Sequence, residues 1–167
     1  MRRLFFIAMV LIMAAGSGAA TIRWLGNAEP VAQVDRFDAG TVEVGDIFTL
    51  TVTALDGTTA AISFTATAAT ADNVEDGLAA AWNASTNTNC TPITADPNYH
   101  LVMTADTAGV AFDITASTTD GGGNDTQTLT KTPIIANQGP QDWTSAANWS
   151  GGALPGGAAN QDVYIED

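Results

Sequence analysis

The chain has 167 residues, five basic and eighteen acidic, and a formal charge of −13. Such a polyanion repels nucleic-acid phosphates and anionic lipid headgroups, so no nucleic-acid partner is expected. One cysteine, Cys90, excludes an intrachain disulfide, and the length suits one domain or one domain plus a fragment.

Residues 1–20 carry the clearest single signal. Arg2 and Arg3 precede an apolar run from Leu4 to Ala15, shorter than the ~20 residues of a bilayer span. Small residues from Gly16 to Ala20 follow, as a signal peptidase requires. The segment reads as a secretory signal peptide cut after Ala20. Its rivals are an uncleaved signal anchor and a misassigned start. Cleavage would remove Arg2 and Arg3, leave Arg23, Arg36 and Lys131 against all eighteen acids, and take the formal charge to −15. The expectation is a secreted or cell-surface protein with no mature transmembrane segment.

Residues 21–37 read as an extended lead-in with one strand. Residues 38–136 read as a β-rich module. Phe48, Leu50, Val52 and Ala54 alternate with Thr49, Thr51 and Thr53, the period of a half-buried strand. Asp56-Gly57 is a hairpin turn pair, and Ile62, Phe64 and Ala66 line one face of the return strand. The period then changes. Val74, Leu78, Ala81 and Trp82 share one helical face, which predicts a helix over about 73–84. Asp72 with Glu75 three residues on reads as its capping box. Residues 99–104 and 110–116 predict a second hairpin. Residues 126–136 predict a further strand, which Pro133 restricts to an edge or an end.

From residue 137 the composition shifts to Gly, Pro, Asn and Trp. Residues 137–167 form an irregular segment ending in a strand over 162–165. The fold class expected is mainly β, of the α+β kind. An antiparallel sheet of two or more hairpins carries one amphipathic helix on one face, and the Trp/Gly/Pro tail follows.

Little in the chain points to catalysis. His100 is the only histidine. A Ser-His-Asp triad would have to use it, and no nucleophile-elbow motif accompanies it. A zinc site built from several His or Cys ligands has too few of either. Fourteen Asp residues make chance carboxylate pairs inevitable, so such pairs carry no argument for glycoside hydrolysis.

Two features suggest ligands. Asp120-Gly121-Gly122-Gly123-Asn124-Asp125 resembles one calcium nonapeptide of the repeats-in-toxin type, with Asp120 in place of the first Gly. Asp120 and Asp125 are therefore calcium candidates, against the plainer reading of a hairpin loop. Those repeats bind calcium between stacked turns, and one copy stands here. Trp143, Trp149 and Tyr164 could offer stacking faces to sugar rings, against a plainer reading as local core.

Two longer stretches carry a family resemblance. Val44-Gly45-Asp46-Ile47-Phe48-Thr49-Leu50, with the helix ending Ala79-Ala80-Ala81-Trp82-Asn83-Ala84, resembles a strand-strand-helix-strand-strand module of bacterial surface proteins and phage structural proteins. Trp143 to Gly152, then Pro155 and Asp162-Val163-Tyr164-Ile165, is similar to the segment that opens parallel β-helix regions of exported bacterial proteins. Neither family is defined by a catalytic motif, so the resemblance implies no active-site residue. The function expected is an exported, non-enzymatic structural or interaction module of the surface or adhesion type. Its partners would be other surface or structural subunits, or glycans. The alternatives are a phage virion component and a carbohydrate-binding or carbohydrate-active β-helix fragment. Residues 162–167 read as a strand lacking a following partner, which leaves self-association through it open.

Overall fold

The computed structural model describes residues 20–23, 25–54, 56–123, 126–140, 143–150, 152, 154–155 and 161–164. The signal-peptide reading therefore lies outside the described residues apart from Ala20, as does Asp125. Strands β1 (Ala20–Arg23) and β2 (Val34–Gly40) come first. Strands β3 (Ile47–Thr53) and β4 (Thr59–Thr65) precede α1 (Ala71–Asn83), the one α-helix among the described residues. Strands β5 (Ile93–Asp96), β6 (Leu101–Ala105), β7 (Asp113–Thr119) and β8 (Thr128–Ile135) follow it, and β9 (Gln161–Tyr164) lies in the tail. The protein is mainly β, as its Thr-rich alternating segments imply. Two antiparallel sheets have strand orders β5-β6-β2-β8 and β4-β3-β7, and β1 and β9 form a separate parallel pair. No described helix is long and apolar enough to cross a membrane.

The first hairpin is the expected one, with Phe48 opposite Phe64 and Leu50 opposite Ile62. Phe48, Leu50 and Val52 are buried, while Thr49, Thr51 and Thr53 stay partly exposed. Across the solvent face Thr49 Oγ1 and Ser63 Oγ share a 2.8 Å hydrogen bond. The turn closes on Gly57 at φ +81°, a conformation glycine adopts without steric cost.

Helix α1 packs on the inner faces of both sheets, touching β3 and β4 on one side and β2, β5 and β6 on the other. Val74, Leu78, Ala79 and Trp82 form its buried stripe. They meet Phe37, Leu101 and Met103 from the first sheet and Phe48, Leu50 and Ile114 from the second. Each large side chain buried in this way contributes about 1.5–3 kcal/mol.

The helix start differs from the sequence expectation. The cap is Thr70, whose side chain accepts from the Asn73 N–H. Asn73 reaches back in turn to the Thr67 and Ala68 N–H groups at 2.8 and 3.1 Å. Asp72 already lies inside the first turn, and Glu75 points inward and is buried. The Asp72/Glu75 capping box is thus displaced by a Thr70/Asn73 arrangement, in which Thr70 satisfies the first-turn N–H of Asn73 and the Asn73 side chain ties down the N–H groups of Thr67 and Ala68 ahead of the helix.

The strand at 101–105 also pairs differently. It forms a hairpin with β5 and not with residues 110–116. Strand β7 instead crosses to the second sheet and pairs with β3. Both edges of β6 are taken, by β5 and β2, so none remains for β7. Gln33 marks the crossing. Its amide accepts from the Phe112 N–H at 3.1 Å and donates to the Phe112 carbonyl at 2.9 Å, in the manner of a strand partner. Asn83 does the same for Ala95 on edge strand β5, at 2.7 and 3.0 Å. Strand β8 sits at the end of its sheet, where Pro133 costs no central ladder bond.

The boundary drawn at residue 38 falls inside β2, because Asp35 and Phe37 are buried members of the first sheet. The chain enters the module at Val31 and leaves it at Gln138, and these two residues form an antiparallel bridge. Everything between them is inserted between two halves of a smaller unit. The described residues of 20–28 and of the tail make that unit. Arg23 N–H donates to Ser150 Oγ and the Ser150 N–H donates to the Arg23 carbonyl, both at 2.8 Å. Asn148 is fully buried, accepts from the Ala28 N–H and donates to the Gly139 carbonyl.

Candidate functional site

Among the described residues, two side-chain clusters could bear ligands. The first joins β2, α1 and the residue before β6. Asp38 projects from β2, Glu75 from the inward stripe of α1, and His100 from just ahead of Leu101. His100 Nδ1 lies 2.7 Å from Asp38 Oδ1. Arg36 Nε donates to Asp38 Oδ2 at 2.9 Å. Glu75 Oε1 accepts from the Ala39 N–H at 3.1 Å. One ligand atom each from Asp38, Glu75 and His100 lies within 4.8 Å of the other two. His100 reaches solvent, with 46% of its side chain exposed. Its pairing with Asp38 and Glu75 joins residues far apart in sequence.

Glu75 is the anomalous member. Burial pushes its carboxyl above the ordinary 4.5, and Asp38 and Asp72 add to the rise. The Ala39 N–H and His100 oppose it. The folded state therefore holds this proton longer than the unfolded chain does. That contribution is fully present below about 4.5 and is lost as pH rises through the raised folded value. Glu75→Gln keeps an acceptor for Ala39 and removes the buried charge. It is expected to unfold at a higher temperature than the wild type at pH 8, with the gap closing at pH 4. Thermal melts at the two pH values check this, and an equal loss of stability at both would refute it.

The second cluster gathers Glu43, Asp46 and Asp120. Asp46 is buried, and its two oxygens accept from the Gly121 N–H at 3.0 Å and the Glu43 N–H at 2.8 Å. Asp120 Oδ1 accepts from the N–H groups of Gly122 and Gly123. The loops approach so closely that a Cβ on Gly121 would lie 2.1 Å from the Gly45 carbonyl carbon. Asp120 is thus an Asx-turn residue at a loop junction. Its acidic neighbours here are Glu43 and Asp46, some 75 residues upstream, a proximity that sequence spacing cannot reveal.

The tail aromatics divide. Trp149 is 2% exposed, donates its indole N–H to the Trp143 carbonyl at 3.1 Å, and meets the Trp143 ring edge-on at 5.6 Å. A ring so buried has no open face for a sugar. Trp143 is 53% exposed. Tyr164 belongs to β9, and its side chain lies outside the described residues. Cys90 is in the core, where burial pushes its thiol pKa up.

Two surface features escaped the sequence reading. Tyr99, at the tip of the β5–β6 hairpin, is 92% exposed and holds φ +66°. A cavity of about 350 Å³ opens between the end of β3 and the segments at 88–93 and 105–112, with Val52, Ile93 and Phe112 among its walls. No family model, no curated protein and no solved structure matches the chain.

Proposed function

We propose that the chain is an exported, non-enzymatic structural or interaction module, acting at the cell surface or in the secreted space. The signal-like N-terminus and the strong acidity support export. The observation that carries the interaction reading is the β1–β9 pair. A parallel pair of two strands is an unusual structure by itself, since parallel sheets normally lie buried within larger assemblies. One side of β1 is occupied, because Arg23 bonds to Ser150. Ile22, the next residue back, therefore faces β9, its partner strand. In the parallel pattern this turns the backbone N–H and C=O of Val163, opposite Ile22, toward the outer edge of β9. Among the described residues no strand pairs with that edge.

Such an edge is a template for another strand, from a further surface or structural subunit or from a second copy. The same parallel pairing supports the resemblance to exported β-helix proteins, in which parallel strands stack. Glycan binding is the second reading, and the exposed Trp143 ring favours it.

Light scattering across a concentration series tests the edge. The wild-type chain is expected to gain mass with concentration. Val163→Pro, which removes an outward N–H and leaves the β1 pairing intact, is expected to stay monomeric with an unchanged melting temperature. A wild type that remains monomeric at its solubility limit overturns the reading.

A further inference from the structure

We propose that Asp38, Glu75 and His100 form a binding site for a divalent transition-metal ion of the zinc class. The ligand set is mixed, with one imidazole and two carboxylates. Carboxylates alone would suit calcium or magnesium, whereas an imidazole nitrogen shifts preference toward zinc and its neighbours. The sequence looked poor in zinc ligands because it has one histidine and a remote cysteine. Two carboxylates brought in from β2 and α1 make up the number, since Asp and Glu oxygens also ligate zinc.

The geometry suits such an ion. The three ligand atoms lie within 4.8 Å of one another. An ion bound at about 2.0–2.2 Å from each is admitted by modest side-chain adjustment, in which the 2.7 Å contact between His100 and Asp38 opens. Donors outside the set already orient both carboxylates. Arg36 Nε holds Asp38 Oδ2, and the Ala39 N–H holds Glu75 Oε1. Outer partners of this kind fix first-layer ligands in well-formed metal sites. The hydrogen bond between His100 Nδ1 and Asp38 Oδ1 marks where an ion would displace a proton. Asp38 and His100 side chains are 30% and 46% exposed, so an ion has a path in and water can complete its coordination.

Glu75 supplies the energetic argument. It occupies the inward stripe of α1 beside Val74, Leu78 and Ala79, where an apolar residue would pack without a desolvation cost. A bound cation would offset that cost. Retaining a destabilising charge is typical of residues kept for function. The Glu43, Asp46 and Asp120 cluster differs. It has no imidazole, and both oxygens of its buried member Asp46 accept backbone N–H groups.

The test is calorimetric titration of the full chain with ZnCl2, repeated with CaCl2, with melting curves alongside. The expected result is saturable binding of one Zn2+ per chain that raises the melting temperature. His100→Ala and Glu75→Gln should each weaken it by about tenfold or more. Glu43→Gln should leave it unchanged. Nearly half of the His100 side chain is exposed, so its substitution is expected to leave the fold intact, as the melting curves check. Zinc binding undiminished in His100→Ala, or lost in Glu43→Gln, overturns the proposal. So does the absence of saturable zinc binding, or calcium binding as tight as zinc.

Discussion

Replacing Lys131 with methionine is expected to destabilise the protein by about 3 kcal/mol, because it strands a buried charge. Asp35 is 2% exposed, and its Oδ2 lies 3.0 Å from Lys131 Nζ. Gln33 Nε2 donates to the same oxygen at 3.0 Å. Lys131 Nζ also donates to the Ile114 carbonyl at 3.0 Å. One ammonium thus ties β2 and β8 of the first sheet to β7 of the second. Without it the Asp35 carboxylate keeps a single side-chain donor in a dry environment. The double variant Asp35→Leu with Lys131→Met removes both charges. It is expected to recover most of the loss, since apolar pairs commonly replace buried ion pairs without penalty. Urea unfolding of the two variants and the wild type checks this. A single variant within 0.5 kcal/mol of wild type, about the spread of ordinary surface substitutions, would mean that water reaches Asp35 and solvates it.

The second large effect belongs to Trp82. It is 1% exposed, and its indole N–H donates to the Ile93 carbonyl at 2.9 Å. Trp82→Ala removes the largest fully buried side chain among the described residues and is expected to cost about 4 kcal/mol. Trp82→Phe separates packing from hydrogen bonding. It keeps most of the ring volume and leaves the Ile93 carbonyl without its indole donor, for an expected cost of about 1–2 kcal/mol. Equilibrium unfolding measures both. Equal costs would show that the hydrogen bond, not ring volume, dominates the site.

Both effects sit where local sequence signals meet long-range ones. Trp82 was legible in the sequence as core, because the i, i+4, i+8 spacing with Val74 and Leu78 reports a buried helical face. The Lys131–Asp35 pair was not. Asp35 lay in a segment read as a lead-in, and neither β2's central place in its sheet nor the burial of Asp35 follows from composition. The amides behave alike. Gln33, Asn83 and Asn148 look like ordinary polar residues, yet each bonds backbone groups distant in the chain. Amide side chains carry a donor and an acceptor much as a peptide unit does, so they can stand in for a missing strand.

The sequence by itself determined which faces are buried. The alternation of Phe48, Leu50 and Val52 with threonines, the helical spacing of α1, and the Asp56-Gly57 turn are local periodic facts, and the structure follows them. Tertiary structure decided who covers each face. The second sheet captured β7 because β6 had no edge to offer. Glu75 became a buried neighbour of His100, not a cap, because Thr70 took the helix start. Asp120 met Glu43 and Asp46 across the molecule, and β9 lay parallel to β1. Periodicity reports the direction of a side chain, and that depends on a few neighbouring dihedrals. Pairing depends on competition among edges and charges that only the folded chain brings together.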